Sequence, residues 1–305
     1  MKKLTAIFLS LILVFSLCST ALAAEETKPF ENSEFYCVGD YTLHYRVYES
    51  PNSEKQVMLL HGFGLSTASF EGLAENYVSE GYSVVLVDLP NFGYSSRETT
   101  KMNLQNREDL VASLMQKLGG KWILGGHSMG GGVAINIATM YSDLVSALVL
   151  FAPQTNSAVS PVMATIMKSP AIRGLYNVLI SFAAKTPALM RMMVEMSFSD
   201  AEYAKKYDLS RISDPLKIKG TGSGMAIMSS HTVAPNFEKL SLLEIPCIVV
   251  TASDDKVASQ ENLEAIIASC PEGTKTYNFE KGGHMMMEYD SALACEVTLE
   301  ILQAA

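Results

Sequence analysis

Short apolar runs alternate with longer helix-like stretches along most of the chain. The runs are Val57–Leu60, Ser83–Val87, Trp122–Gly125, Ala147–Phe151, Ile248–Val250 and Thr274–Phe279. Each ends at or just before a polar or Gly-rich cluster: His61-Gly-Phe-Gly64, Asp88, His127-Ser128, Ala152-Pro153, Thr251 and Gly282-Gly-His284. Between them, Asn106–Leu118, Val133–Met140 and Asn262–Ala268 have helical character. Short continuous strands separated by helices predict an α/β fold, a mostly parallel, doubly wound sheet covered on both faces. In such sheets chemistry gathers at the carboxyl ends of strands, which is where these clusters fall. Phe35–Tyr48 instead alternates around Gly39-Asp40 and predicts a hairpin.

Residues 154–235 break the rhythm. Pro161, Pro170, Pro187, Pro215 and Pro235 punctuate several helical segments, and eight of the 17 Met lie here. This stretch is expected to be a cap inserted into one domain spanning 35–303, without internal repeats.

The N-terminus follows another pattern. Lys2 and Lys3 precede an almost wholly apolar run, Leu4–Leu17, and then Ala21-Leu22-Ala23. Positive end, apolar centre and small-x-small site predict a signal peptide over 1–23 and a flexible leader over 24–34. The apolar run is shorter than the roughly 20 residues of a membrane-spanning helix. A secreted or extracytoplasmic location is expected; an anchor formed by an uncleaved segment is the alternative.

Composition narrows the function. The chain has 305 residues, 48% of them hydrophobic, so it can bury a core. Its formal charge is −9, and loss of the two leader lysines takes it to −11. That balance argues against nucleic acid as a partner, which needs a basic surface. Cys37, Cys247, Cys270 and Cys295 remain after cleavage. Cys247 sits in an apolar run and reads as a buried thiol; Cys270 and Cys295 flank the last strand and could pair. No Cys-x-x-Cys spacing supports a metal site.

Gly126-His-Ser-Met-Gly130 is a G-x-S-x-G sequence between a strand and a helix. A Ser at such a sharp turn is held strained, with its hydroxyl exposed, and nearby glycines let the flanking backbones pass closely. Ser128 is the expected nucleophile. The base follows by elimination among five His. His44 lies in the hairpin, His61 in another loop and His231 in the cap, while His127 should point away from its neighbour Ser128. His284 follows the last strand and can take and return the Ser proton. The orienting acid should follow an intervening strand, where Asp254 and Asp255 are adjacent; Asp255 is preferred and Asp254 held in reserve. Two backbone N–H groups are expected to form an oxyanion hole: Met129, after the nucleophile, and Phe63, in the earlier loop.

These segments, with Asp88-Leu-Pro-Asn-Phe-Gly-Tyr-Ser95 and Ser253-Asp-Asp-Lys256, resemble the α/β-hydrolase superfamily in motif and in Ser–Asp–His order. Two positions depart from its usual pattern. Asn91 stands where the family often has Gly, and Ala252 where a Gly often precedes the acid loop. The resemblance covers about residues 35–303 and implies a serine hydrolase. Carboxylic esters, short-chain or monoacyl lipid, are the expected substrates. Hydrolysis of carbon–carbon or other acyl bonds by the same triad is one alternative, and a non-catalytic ligand-binding protein another. Ser at position 128 disfavours dehalogenase and epoxide hydrolase readings. No cofactor or metal is implied.

Two features bear on specificity. A Met-rich cap can adapt to varied apolar groups or simply pack on the body. Met285-Met286-Met287 is expected to add apolar surface near the site. The cap also carries nine Lys/Arg against five Asp/Glu, a balance that could steer anionic substrates, allow transient contact with a lipid surface, or simply reflect helix ends and solvated faces.

Overall fold

The computed structural model describes residues 28–51, 53, 55–97, 105–154, 161–230 and 237–305. The expected signal peptide, residues 24–27 of the leader and His231 lie outside them. The folded body runs from Asn32 to Ala305.

Eight strands form one sheet: β1 (Ser33–Val38), β2 (Tyr41–Tyr48), β3 (Gln56–Leu60), β4 (Ser83–Val87), β5 (Trp122–His127), β6 (Val145–Phe151), β7 (Cys247–Ala252) and β8 (Lys275–Phe279). Their spatial order is β1-β2-β4-β3-β5-β6-β7-β8. The hairpin β1–β2 joins β4 antiparallel, and every other pairing is parallel. The hairpin starts at Ser33, two residues before its sequence alternation suggests, and Ser33 is buried.

Both faces of the sheet are covered, which explains why its strands read as continuous apolar runs. Side chains alternate between the faces. Val57, Leu59, Val84, Leu86 and Ile248 enter one buried cluster; Met58, Leu60, Val85, Val87 and Val249 enter the other. Each buried Val or Leu contributes about 1.5–3 kcal/mol of burial free energy.

The helices before the cap are α1 (Glu71–Ser79), α2 (Gln105–Leu118) and α3 (Met129–Met140). Between β6 and β7 come α4 (Pro161–Met167), α5 (Pro170–Ala184), α6 (Pro187–Phe198), α7 (Ala201–Lys206), α8 (Ser210–Lys217), α9 (Thr221–Ser230) and α10 (Phe237–Ser241). The remainder are α11 (Gln260–Ser269), α12 (Met286–Tyr289) and α13 (Ser291–Ala304). Pro170 and Pro187 open helices, where a missing N–H costs nothing. Pro215 differs, lying inside α8 rather than between helices. No helix among the described residues is long and apolar enough to cross a membrane.

Strand register brings the carboxyl ends to one edge. Leu60 pairs with Val87 and Gly126, His127 with Phe151, Phe151 with Val250, and Ala252 with Phe279. The loops singled out in the sequence therefore leave the sheet on the same side.

The cysteines differ in one respect from expectation. Cys247 is buried, but its thiol contact is with Cys270, not between Cys270 and Cys295. All four described thiols are free.

Candidate active site

Ser128 is the single residue between β5 and α3. Its backbone has φ 50° and ψ −119°, a conformation that costs a non-Gly residue about 1–3 kcal/mol. Surrounding bonds hold it there. Ser128 N–H donates to the Phe151 carbonyl at 2.9 Å, and the Ser128 carbonyl accepts from Gln154 N at 2.9 Å and Gly132 N at 3.2 Å. The neighbouring glycines are required by close approach. A Cβ on Gly126 would lie 2.3 Å from the Gly130 carbonyl oxygen, and one on Gly130 only 2.1 Å from that of Leu60. The Met129 N–H opens α3, in the first turn, where amides lack intrahelical acceptors.

His284 sits in a short 3-10 turn, Gly283–Met285, entered through Gly282 (φ 114°) and Gly283 (φ 58°). Its Nδ1 donates to Asp255 Oδ2 at 2.8 Å. The other oxygen of Asp255 accepts from Val257 N at 2.7 Å and Ala258 N at 2.9 Å. Burial opposes ionisation of Asp255, but the His284 contact and these amides outweigh it and hold its pKa below the ordinary range. Asp254 does something else: its Oδ1 accepts the Gly283 N–H at 2.8 Å and ties down the His284 turn. The adjacent acids thus separate by partner, and Asp255 is the one that meets the imidazole.

His127 packs against the His284 turn. Its Nε2 donates to the His284 carbonyl at 2.7 Å, with the two rings 4.6 Å apart. Burial, reinforced by the His284 charge, drives its pKa well below the ordinary value. The ring is therefore neutral, with its proton on Nε2. Its other nitrogen, Nδ1, is buried without a hydrogen-bond partner. The Gly62 backbone crosses so closely that a Cβ there would lie 2.7 Å from Nδ1.

The loop after β3 is pinned by His61. Its Nδ1 donates to the Gly62 carbonyl at 2.7 Å, and its Nε2 accepts the Leu89 N–H at 3.0 Å. Burial lowers its pKa, which suits this neutral form. Phe63 follows, partly exposed, its ring edge-on to Phe92 at 5.4 Å. Behind this loop lies a wholly buried brace. Asp88 bonds His44 Nδ1 at 2.7 Å and accepts from Thr67 N at 2.6 Å and Tyr94 N at 2.7 Å. His44 Nε2 meets Ser33 Oγ at 2.7 Å. Burial alone would neutralise Asp88, but His44 and the other partners keep its pKa below the ordinary value. The brace ties the hairpin to the loops after β3 and β4. Asn91, in the family's usual Gly position, adopts φ 71°, a conformation Asn tolerates better than most side chains.

One expectation changes. Met285, Met286 and Met287 are fully buried in the core rather than lining an open surface. The roles not foreseen are those of His127, which bonds the His284 backbone, of the His44–Asp88 brace, and of Asp254, held in reserve as the acid but bonded to the Gly283 N–H instead. Among these, Asp88 and Asp254 carry a sequence signal, as acids at strand ends.

A strained Ser directly after His127, whose ring lies 4.6 Å from that of a carboxylate-bonded His284, has the groups that acyl transfer requires. Comparison with known proteins agrees with the fold. The family model described as "alpha/beta hydrolase fold" matches residues 55–291, and the chain belongs to that family, a family of hydrolases. It is 23% identical over 251 residues to a 2-hydroxy-6-oxononadienedioate/2-hydroxy-6-oxononatrienedioate hydrolase of a Pseudomonas species, covering 78% of this chain and 84% of that one. It is 33% identical over 119 residues to the sn-1-specific diacylglycerol lipase ABHD11 of Danio rerio, 38% of each chain. A thermophilic esterase from Thermogutta terrifontis superposes with a TM-score of 0.68 at 18% identity, over 89% of this chain and 98% of that one.

Proposed function

We propose that the chain is a serine hydrolase of carboxylic esters. Ser128 Oγ attacks the ester carbonyl while His284 takes its proton, and Asp255 holds the imidazole in the right tautomer and stabilises its charged form. The Phe63 and Met129 N–H groups receive the developing oxyanion. His284 then returns the proton to the departing alcohol, and a water repeats the sequence to free the acid. The observation that carries this reading is Ser128 held at φ 50° directly after His127, whose Nε2 bonds the backbone of a His284 already bonded to Asp255.

A carbon–carbon bond hydrolase with the same triad is the second reading, favoured by the relative whose name specifies a dienedioate substrate. The surroundings support an uncharged ester instead. Phe63 is exposed on the nearby loop, with Phe92 and Met225 buried behind it. Arg97, a cation on the loop after β4, is committed to the carbonyls of Phe92, Gly93, Ser95 and Pro215. A substrate carboxylate would have to displace those bonds.

Chromogenic acyl esters of graded chain length, run beside a 2-hydroxy-6-oxo-dienedioate, test the choice. Turnover of esters alone supports the proposal; turnover of the dienedioate alone supports the second reading. Neither turnover nor covalent labelling by a fluorophosphonate would leave a ligand-binding protein. The N-terminal pattern supports export with cleavage after Ala23, and a secreted product beginning at Ala24 is the matching result.

A further inference from the structure

The cap exposes an apolar face that the chemistry above does not use. On α5, Leu175, Val178, Leu179 and Phe182 are each more than half exposed. Their spacing, i, i+3, i+4 and i+7, places them on one side of the helix. On the next helix, α6, Met192 and Met196 are exposed to the same degree.

Neither helix can hide this surface by rolling over, because the opposite sides are already engaged. Tyr176 and Ile180 of α5 pack against the core, and Met190, Val194 and Phe198 of α6 are buried. The α5 backbone is gripped by α9: a Cβ on Gly222 would lie 2.4 Å from the Asn177 Cα. Each helix therefore has two apolar sides, one packed and one facing outward.

The charge around this face is opposite to that of the chain. Lys168 and Lys185 are exposed and flank the two ends of α5. Across α4 to α6 the basic residues are Lys168, Arg173, Lys185 and Arg191, against the single acid Glu195, in a chain of −9. An apolar side with cations at its ends, on a helix about 22 Å long, has the make-up of one that lies in a membrane interface.

We propose that the α5–α6 face docks on a lipid bilayer bearing anionic headgroups. Leu175, Val178, Leu179 and Phe182 enter the headgroup–acyl boundary, while Lys168 and Lys185 pair with headgroup phosphates. Docking requires neither Ser128 nor an ester substrate, so it stands apart from the proposed chemistry.

Vesicle flotation tests it, with the chain from Ala24 onward, which contains the whole body from Asn32. Vesicles of phosphatidylcholine with phosphatidylglycerol should carry the protein; vesicles of phosphatidylcholine alone should carry less. Leu179→Asn with Phe182→Asn should lower partitioning about tenfold or more, from the lost apolar burial, with an unchanged circular dichroism spectrum and melting temperature. Ser128→Ala should float like the unaltered chain, so failure of docking and failure of the ester reading are read separately. No flotation with anionic vesicles, or flotation unchanged by the double substitution, would overturn the proposal. So would a dimer in sedimentation equilibrium that the double substitution splits while vesicles are ignored, because the face would then be a contact between copies.

Discussion

His127 donates its Nε2–H to the backbone carbonyl of His284 at 2.7 Å. The residue preceding the proposed nucleophile therefore grips the backbone of the proposed base. The His127 side chain thereby fixes the loop that carries His284, leaving Ser128 for the proposed attack.

Loss of this grip should impair positioning rather than binding. His127→Ala is expected to lower kcat about 10- to 100-fold with little change in KM, the scale of a small misplacement of reacting groups. Because burial holds His127 neutral, its ring resonances should not titrate between pH 8 and 5.5. A normal titration there, or full activity in the alanine variant, would contradict the assignment.

The two adjacent acids should behave differently. Asp255→Asn leaves His284 without its carboxylate and should cost about 10⁴-fold in kcat, the scale seen when a triad acid is neutralised. Asp254→Asn touches only the Gly283 amide and should cost about tenfold. The depressed pKa of Asp255 keeps it ionised from neutral pH down past the usual carboxylate range. Its contribution to stability is thus present above the unfolded pKa and lost as pH falls through the folded value. Kinetics of both variants, measured side by side, check the ranking.

The cap and the His284 region are also joined through Arg211 of α8. It bonds Glu71 Oε2 at 2.7 Å and Glu288 Oε1 at 3.2 Å. Burial pushes the Glu288 pKa up to about 7, against the pull of Arg211 and Tyr207. A carboxyl raised in the folded state stabilises fully below its unfolded pKa, and that contribution is lost as pH rises through about 7. The unaltered chain should therefore lose stability relative to Glu288→Gln between pH 5 and pH 8, by about 1–3 kcal/mol. Urea unfolding of both at the two pH values measures it; a parallel pH dependence would refute the shift.

Much of this architecture is legible in the chain. The parallel strands announce themselves because both sheet faces are covered, so Val57–Leu60 and Ser83–Val87 carry no polar alternation. Ser128 and His284 follow from glycines at strand ends, where the backbone needs space or positive φ. Adjacency hides other features. Asp254 and Asp255 have the same local sequence context, and only the three-dimensional fold gives one to Gly283 N–H and the other to His284. The His44–Asp88 bond spans 44 residues and leaves no local trace. Met285–Met287 misleads because burial depends on how the short α12 packs, which a uniform apolar triplet does not reveal.

Ser128 is the proposed nucleophile, and covalent labelling tests that role. The protein is treated with a fluorophosphonate, the modified peptide is identified by mass spectrometry, and hydrolysis of a short-chain chromogenic ester is measured for it and for Ser128→Ala. One label per chain is expected on Ser128, with ester turnover blocked by the label and a fall of about 10⁴-fold or more in the alanine variant. Label on another residue, or ester turnover that survives Ser128→Ala, would contradict it.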